Sequence, residues 1–187
     1  MFKKFLVMPV LALGLLLSGC GLVSVREASM DHGMMGNAAG FSSSDIMFAQ
    51  MMIPHHQQAV DMGTLAVTRA SNPKVKELAA QIKSEQAPEI LQMKAWLTAS
   101  GSGMDMGHDM GMNGMLTDSQ LMELTNSTGS VFDQLYLKGM IGHHQGAIEM
   151  AQTVLNSKNK EVKTLAESII KSQTEQITIL EKILAEY

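Results

Sequence analysis

The sequence predicts an all-α protein, a four-helix bundle assembled from two duplicated helical hairpins. The first sign is an internal repeat at an offset of 88 residues, Met52-Ile53-Pro54-His55-His56-Gln57-Gln58-Ala59-Val60-Asp61-Met62 against Met140-Ile141-Gly142-His143-His144-Gln145-Gly146-Ala147-Ile148-Glu149-Met150. A second match follows each copy: Val75-Lys76-Glu77-Leu78-Ala79 pairs with Val162-Lys163-Thr164-Leu165-Ala166, and the likeness continues through Ile82/Ile169, Gln86/Gln173, Ile90/Ile177 and Leu97/Leu184. The third observation is that apolar residues recur at three- and four-residue spacing through every one of these segments, the period of an amphipathic helix. One hairpin cannot bury its own apolar stripe, so two must pack together.

The elements are predicted in order. Helices span about 44–70, 73–99, 130–157 and 160–186. Asn72 caps the second helix ahead of Pro73 at its first position, where the missing N–H costs nothing, and Asn159 caps the last. A short helix over 118–125 opens on Thr117 and Gln120, spaced as a capping box. Glycine-rich segments, a spacer over 20–42 and a Met/Gly-rich loop over 100–116, flank and join the hairpins; together residues 43–187 form one bundle domain.

The N-terminus reads as an export signal. Lys3 and Lys4 precede an apolar run, Phe5 to Leu17, too short for a comfortable membrane span, and Leu17-Ser18-Gly19-Cys20 has the form of a lipoprotein cleavage site. Residues 1–19 are then a signal peptide, and Cys20 carries a lipid that holds the protein on the periplasmic or cell-surface side of a bacterial membrane. As the one cysteine in the chain, Cys20 excludes an internal disulfide and a thiolate cluster. Losing Lys3 and Lys4 turns 14 basic residues into 12 against 18 acidic ones, a formal charge of −6 that argues against nucleic acid.

Methionine makes up 18 of 187 residues, whereas aromatic residues are only 4%. Methionine often fills irregular helical cores, but that does not account for Met30, Met34 and Met35 in the spacer, or for Met104, Met106, Met110, Met112 and Met115, which sit with His108 in a polar, glycine-rich loop. In the bundle, about 100° per residue sets Met51, Met62, Ala59, Met52 and His56 between about −40° and +100° of His55, one broad face. Met140, His143, Ala147, His144 and Met150 repeat the arrangement, so the two faces meet in the bundle or act singly, with Ala59 and Ala147 leaving room for an ion. Pro54 and Gly142 both loosen the helix beside the histidines. Asp61 and Glu149 fall on the flank, as solvated or supporting groups.

Thioether sulfur selects Cu(I) and Ag(I), and imidazole accepts Cu(I), Cu(II) and Zn(II); the mixed set points to copper, with Cu(I) favoured and Ag(I) or Cu(II) also accommodated. The metal-ligating candidates are therefore Met52, His55, His56, Met62, Met140, His143, His144 and Met150 in the bundle, and Met104, Met106, His108, Met110, Met112 and Met115 in the loop. With a histidine pKa of about 6.5, acidification to about pH 5 is expected to weaken the histidine sites and spare the thioethers.

The two His-His-Gln-x-Ala-x-x-Met copies, each followed by a helix with Gln and then Ile four residues on, resemble the domain of unknown function 305 family, the CopM-like proteins, over about residues 43–187. The resemblance implies a ferritin-like four-helix bundle outside the cytoplasm, in a family with members linked to copper binding and tolerance. The histidine pairs and Met52, Met62, Met140 and Met150 match its motif, while Gly142 departs from the common Ile-Pro-His-His form.

The expected function is capture of soft metal ions for buffering, tolerance or delivery to a copper-handling partner, without catalysis. A structural or adaptor bundle without metal is the alternative. A ferritin-like metal oxidase is disfavoured because no Glu-x-x-His occurs: the residues three before the histidines are Ser29, Met52, Ile53, Asp105, Met140 and Ile141.

Overall fold

The computed structural model describes residues 40–104 and 112–187. Among them are five helices and no strand: α1 (Ser43–Arg69), α2 (Pro73–Ala99), α3 (Asp118–Asn126), α4 (Gly129–Gln152) and α5 (Lys160–Leu184). The α1/α2 and α4/α5 hairpins join mainly through α1 and α4. This is the four-helix bundle of duplicated hairpins that the repeat requires, with α3 as the short extra helix. None of these helices is long and apolar enough to cross a membrane. Cys20 and the rest of residues 1–39 lie outside the described residues, as do Met106, His108 and Met110.

The helix starts follow the capping chemistry. Asn72 accepts from the Lys74 N–H, Asn159 from Glu161 and Val162, and Thr117 with Gln120 forms the full reciprocal box. A further box, Ser42 with Asp45, starts α1. Two boundaries differ from the periodicity. The α4 helix ends at Gln152 rather than near 157, because its last bonds tighten to three-residue turns, with Val154 N–H to Ala151 and the Thr153 hydroxyl to the Met150 carbonyl. Phe41, placed in the spacer, is instead buried against Trp96 at a ring separation of 5.9 Å, so the core starts before the first helix.

The core forms two clusters. One gathers Phe48, Met52 and Ile53 of α1 with Met93 and Trp96 of α2, Met150 of α4 and Ile169 of α5. The other gathers Met62 and Ala66 with Ile82, Phe132, Tyr136, Met140 and Leu180. The first half of α1 thus meets the second half of α4 and the reverse, so these helices run antiparallel. Each fully buried side chain of this size contributes about 1.5–3 kcal/mol.

Both ends of the bundle are fastened by buried polar contacts. Asp133, fully buried on α4, accepts from the Ser71 and Asn72 backbone N–H groups, the Ser71 hydroxyl and the Tyr187 hydroxyl, tying the α1–α2 turn and the C-terminus to α4. At the other end the Trp96 indole N–H donates to Glu161 across 2.9 Å.

Candidate metal centre

The gap between the two clusters is polar, and every long helix contributes to it. His55 and His56 come from α1, Gln86 and Glu89 from α2, His143 and His144 from α4, Gln173 and Gln176 from α5. The two predicted faces meet here: the His55 and His143 rings lie 3.7 Å apart between centroids, with His56 and His144 at 6.3 and 6.2 Å from their neighbours. All four histidines have no solvent exposure.

Three of these rings are oriented through Nε2. His56 Nε2 lies 2.8 Å from the Glu89 carboxylate, His143 Nε2 2.9 Å from the His55 carbonyl and His144 Nε2 2.7 Å from Gln176 Oε1. Each partner only accepts, so each Nε2 carries a hydrogen and donates, and His143 and His144 as neutral rings keep the lone pair on Nδ1. The Gln176 amide is itself oriented, because its nitrogen donates to Glu85 at 2.7 Å. The Nδ1 atoms of His56, His143 and His144, and both ring nitrogens of His55, are buried without a hydrogen-bond partner in the protein.

Burial drives His55, His143 and His144 toward neutrality. It lowers His55 from 6.5 to about 3, with His56 adding to the effect and the Asn113 backbone acting in the opposite sense. His144 falls to about 4, chiefly by burial and against the pull of Gln176. His143 lies well below its usual value, first through burial and then through the neighbouring histidines. Gln86 and the Gln173 oxygen are likewise buried and unpaired. A buried unpaired polar group costs about 1–3 kcal/mol, and concentrating several at one level of a bundle gives up stability that an apolar layer would keep.

The methionines bracket this layer. Met52, Met62 and Met140 are fully buried and Met150 nearly so, Met52 and Met150 in one core cluster and Met62 and Met140 in the other. Ala59 and Ala147 are fully packed within those clusters. In the loop, Met104 is exposed, while Met112 and Met115 are half-buried. Asp61 and Glu149 are exposed and serve as acceptors for Gln57 and Asn113. Among the described residues no three His, Cys, Asp or Glu side chains are grouped to hold an ion.

The end of the Met/Gly-rich loop is pressed onto the layer. Gln58 both donates to the Leu116 carbonyl and accepts from its N–H, at 3.1 and 2.8 Å. Gly146 makes the approach feasible: a Cβ there would stand 2.0 Å from the Asn113 oxygen, and Gly114, at φ +84°, packs against the same stretch of α4. At the loop's other end Gln50 donates to the Gly103 carbonyl.

Sequence reasoning missed Glu89, Gln176 and Glu85. The signal was present but faint: Gln86 and Gln173 match in the repeat, and Glu89 and Gln176 follow each by three residues, the next position on the same helix face.

The chain matches the family described as domain of unknown function (DUF305) over residues 45–184. It is similar to the crystal structure of a DUF305 protein from Streptomyces coelicolor, described as secreted, with 33% identity, a TM-score of 0.72, and coverage of 77% of this chain and 93% of that one. A DUF305 fragment from Deinococcus radiodurans gives 28% identity and 0.73, over 78% and 98%. CopM in its Cu(I)-bound form gives 31% and 0.65, over 76% and 96%, and CopM has also been crystallised in Cu(II)- and Ag-bound forms. No curated protein matches the chain.

Proposed function

The chain belongs to the DUF305 family, and from that premise we propose that it is a soft-metal-binding protein of the extracytoplasmic space, taking Cu(I) first and Ag(I) with it. The observation that carries this reading is the histidine layer: three buried imidazoles whose Nε2–H groups are engaged by a carboxylate, a carbonyl and an amide oxygen, with every Nδ1 buried and without a partner. A donor bond from the far ring nitrogen is the usual support for a metal-ligating histidine. Since no three His, Cys, Asp or Glu side chains among the described residues are grouped to hold an ion by themselves, a site here is completed by the flanking thioethers, which favour Cu(I) and Ag(I) over Zn(II). The Cu(I)-, Cu(II)- and Ag-bound CopM structures support the same chemistry.

The role in the cell is buffering, tolerance or delivery of copper to a copper-handling partner, without catalysis, from a position held by lipid on Cys20. The loop methionines Met104 to Met115 and His108 serve as additional ligands.

Titration of the purified protein with Cu(I), Ag(I), Cu(II) and Zn(II) against competing chelators tests the reading. Cu(I) and Ag(I) should bind tightly and raise the melting temperature, and His55→Ala or His143→Ala should weaken binding with helix content kept. Tight Zn(II) with weak Cu(I), or no thermal shift with any ion, would sink it, the latter in favour of an adaptor bundle.

A further inference from the structure

We propose that Met150 works apart from the histidine layer, in an outer site with Met47 and Met51 that takes a soft monovalent cation. The inference builds on the soft-metal reading above. Met47 and Met51 stand one turn apart on α1, and Met150 faces them from α4; with Ser44, Phe48 and Thr153 they line a cleft of about 200 Å³. The three thioethers run from solvent to core: Met47 is 44% exposed, Met51 half-buried and Met150 8% exposed. Core filling does not account for Met47.

The chemistry of the lining is selective. Among the described residues no charged side chain and no imidazole borders the cleft, so they offer a divalent ion nothing to neutralise it, whereas three neutral sulfur donors suit Cu(I) or Ag(I). The repeat supplies an internal control. At the offset of 88, Met47 and Met51 correspond to Leu135 and Gly139, and Met150 to Met62. There Leu116 lies over Gly139, its Cδ2 only 3.0 Å from where a Cβ would stand. Where the same fold needs packing alone it uses leucine and glycine; methionine is used where the cleft is open.

Ag(I) is the probe, because it does not change oxidation state, and the chain carries Cys20→Ser to remove its one thiol, with methionine methyl groups labelled for NMR. The Met47, Met51 and Met150 methyl signals should shift together on adding Ag(I). The Met47→Leu/Met51→Leu double variant, close to volume-conserving, should bind one equivalent fewer, leave Met150 unshifted and retain the histidine response. If Ag(I) moves the histidine signals but not Met47 and Met51, the outer site is wrong and the proposed function stands. A response from the three methionines without the histidines would uphold the outer site and remove the layer. Silence from all of them would overturn both.

Discussion

The two hairpins share a fold and differ around the histidines. Their packing residues repeat with little change, yet His56 meets the Glu89 carboxylate while its counterpart His144 meets the Gln176 amide. The first hairpin has proline just before its site residues on both helices, Pro54 and Pro88; the second has Gly142 and Glu175 at the same register. Gln58 holds the connecting loop by hydrogen bonds, and Gly146 accepts it by having no side chain. Duplication supplied one scaffold twice, and divergence has made its centre two unequal half-sites. His56 has a carboxyl group for its partner and His144 only an amide.

The largest expected effect concerns acid. His55, His143 and His144 have folded-state pKa values below the unfolded value of about 6.5. The unfolded chain therefore binds more protons, so stability is full above pH 6.5 and falls as pH drops toward the folded values, by about 1.4 kcal/mol per pH unit for each ring. The metal-free protein should lose several kcal/mol between pH 7 and about pH 4, read from denaturant midpoints. Replacing His143 and His144 by alanine should flatten that slope about twice as much as His55→Ala. Equal flattening would mean that His143 and His144 are not both shifted. The same shifts correct the expectation from the reference pKa: rings held near 3 and 4 stay neutral at pH 5, so histidine sites survive acidification further than exposed imidazoles would.

Next in size is the exchange of partners. Glu89→Gln makes the first half-site resemble the second and should weaken Cu(I) binding about 10- to 100-fold, the usual effect of losing a supporting carboxylate. Gln176→Glu should strengthen binding at the second. Chelator competition measures both, and equal affinities for wild type and Glu89→Gln would show that the asymmetry has no bearing on the metal.

The smallest effects separate two glycines four residues apart. Gly146→Ala puts a Cβ into the Asn113 carbonyl and should cost about 1–3 kcal/mol through displacement of the loop end. Gly142→Ala meets nothing within 4 Å and should stabilise α4 by up to about 1 kcal/mol. Thermal melts of the two variants that moved together would contradict this placement of the loop.

Much of this was legible in the sequence, because helix period, caps and an internal repeat are local signals. The repeat alone aligned His55 with His143, and the helical projection put each with its flanking methionines on one broad face. What escaped was tertiary. Glu89 and Gln176 differ in type, so the repeat did not pair them, and nothing local to His55 says that its ring will be sealed at the centre of a bundle. Phe41 escaped for a similar reason: its partner, Trp96, lies 55 positions away.

Asp133 brings a consequence for how the molecule breathes. Its bonds to Ser71, Asn72 and Tyr187 fix one end of the bundle, and Trp96 with Glu161 fixes the other, while the middle carries the unpaired groups. Amide hydrogen exchange should accordingly be inverted from the usual pattern of fraying ends around a protected centre: amides near Asp133 should exchange only with global unfolding, and those flanking His55 and His143 through local opening at a lower free energy.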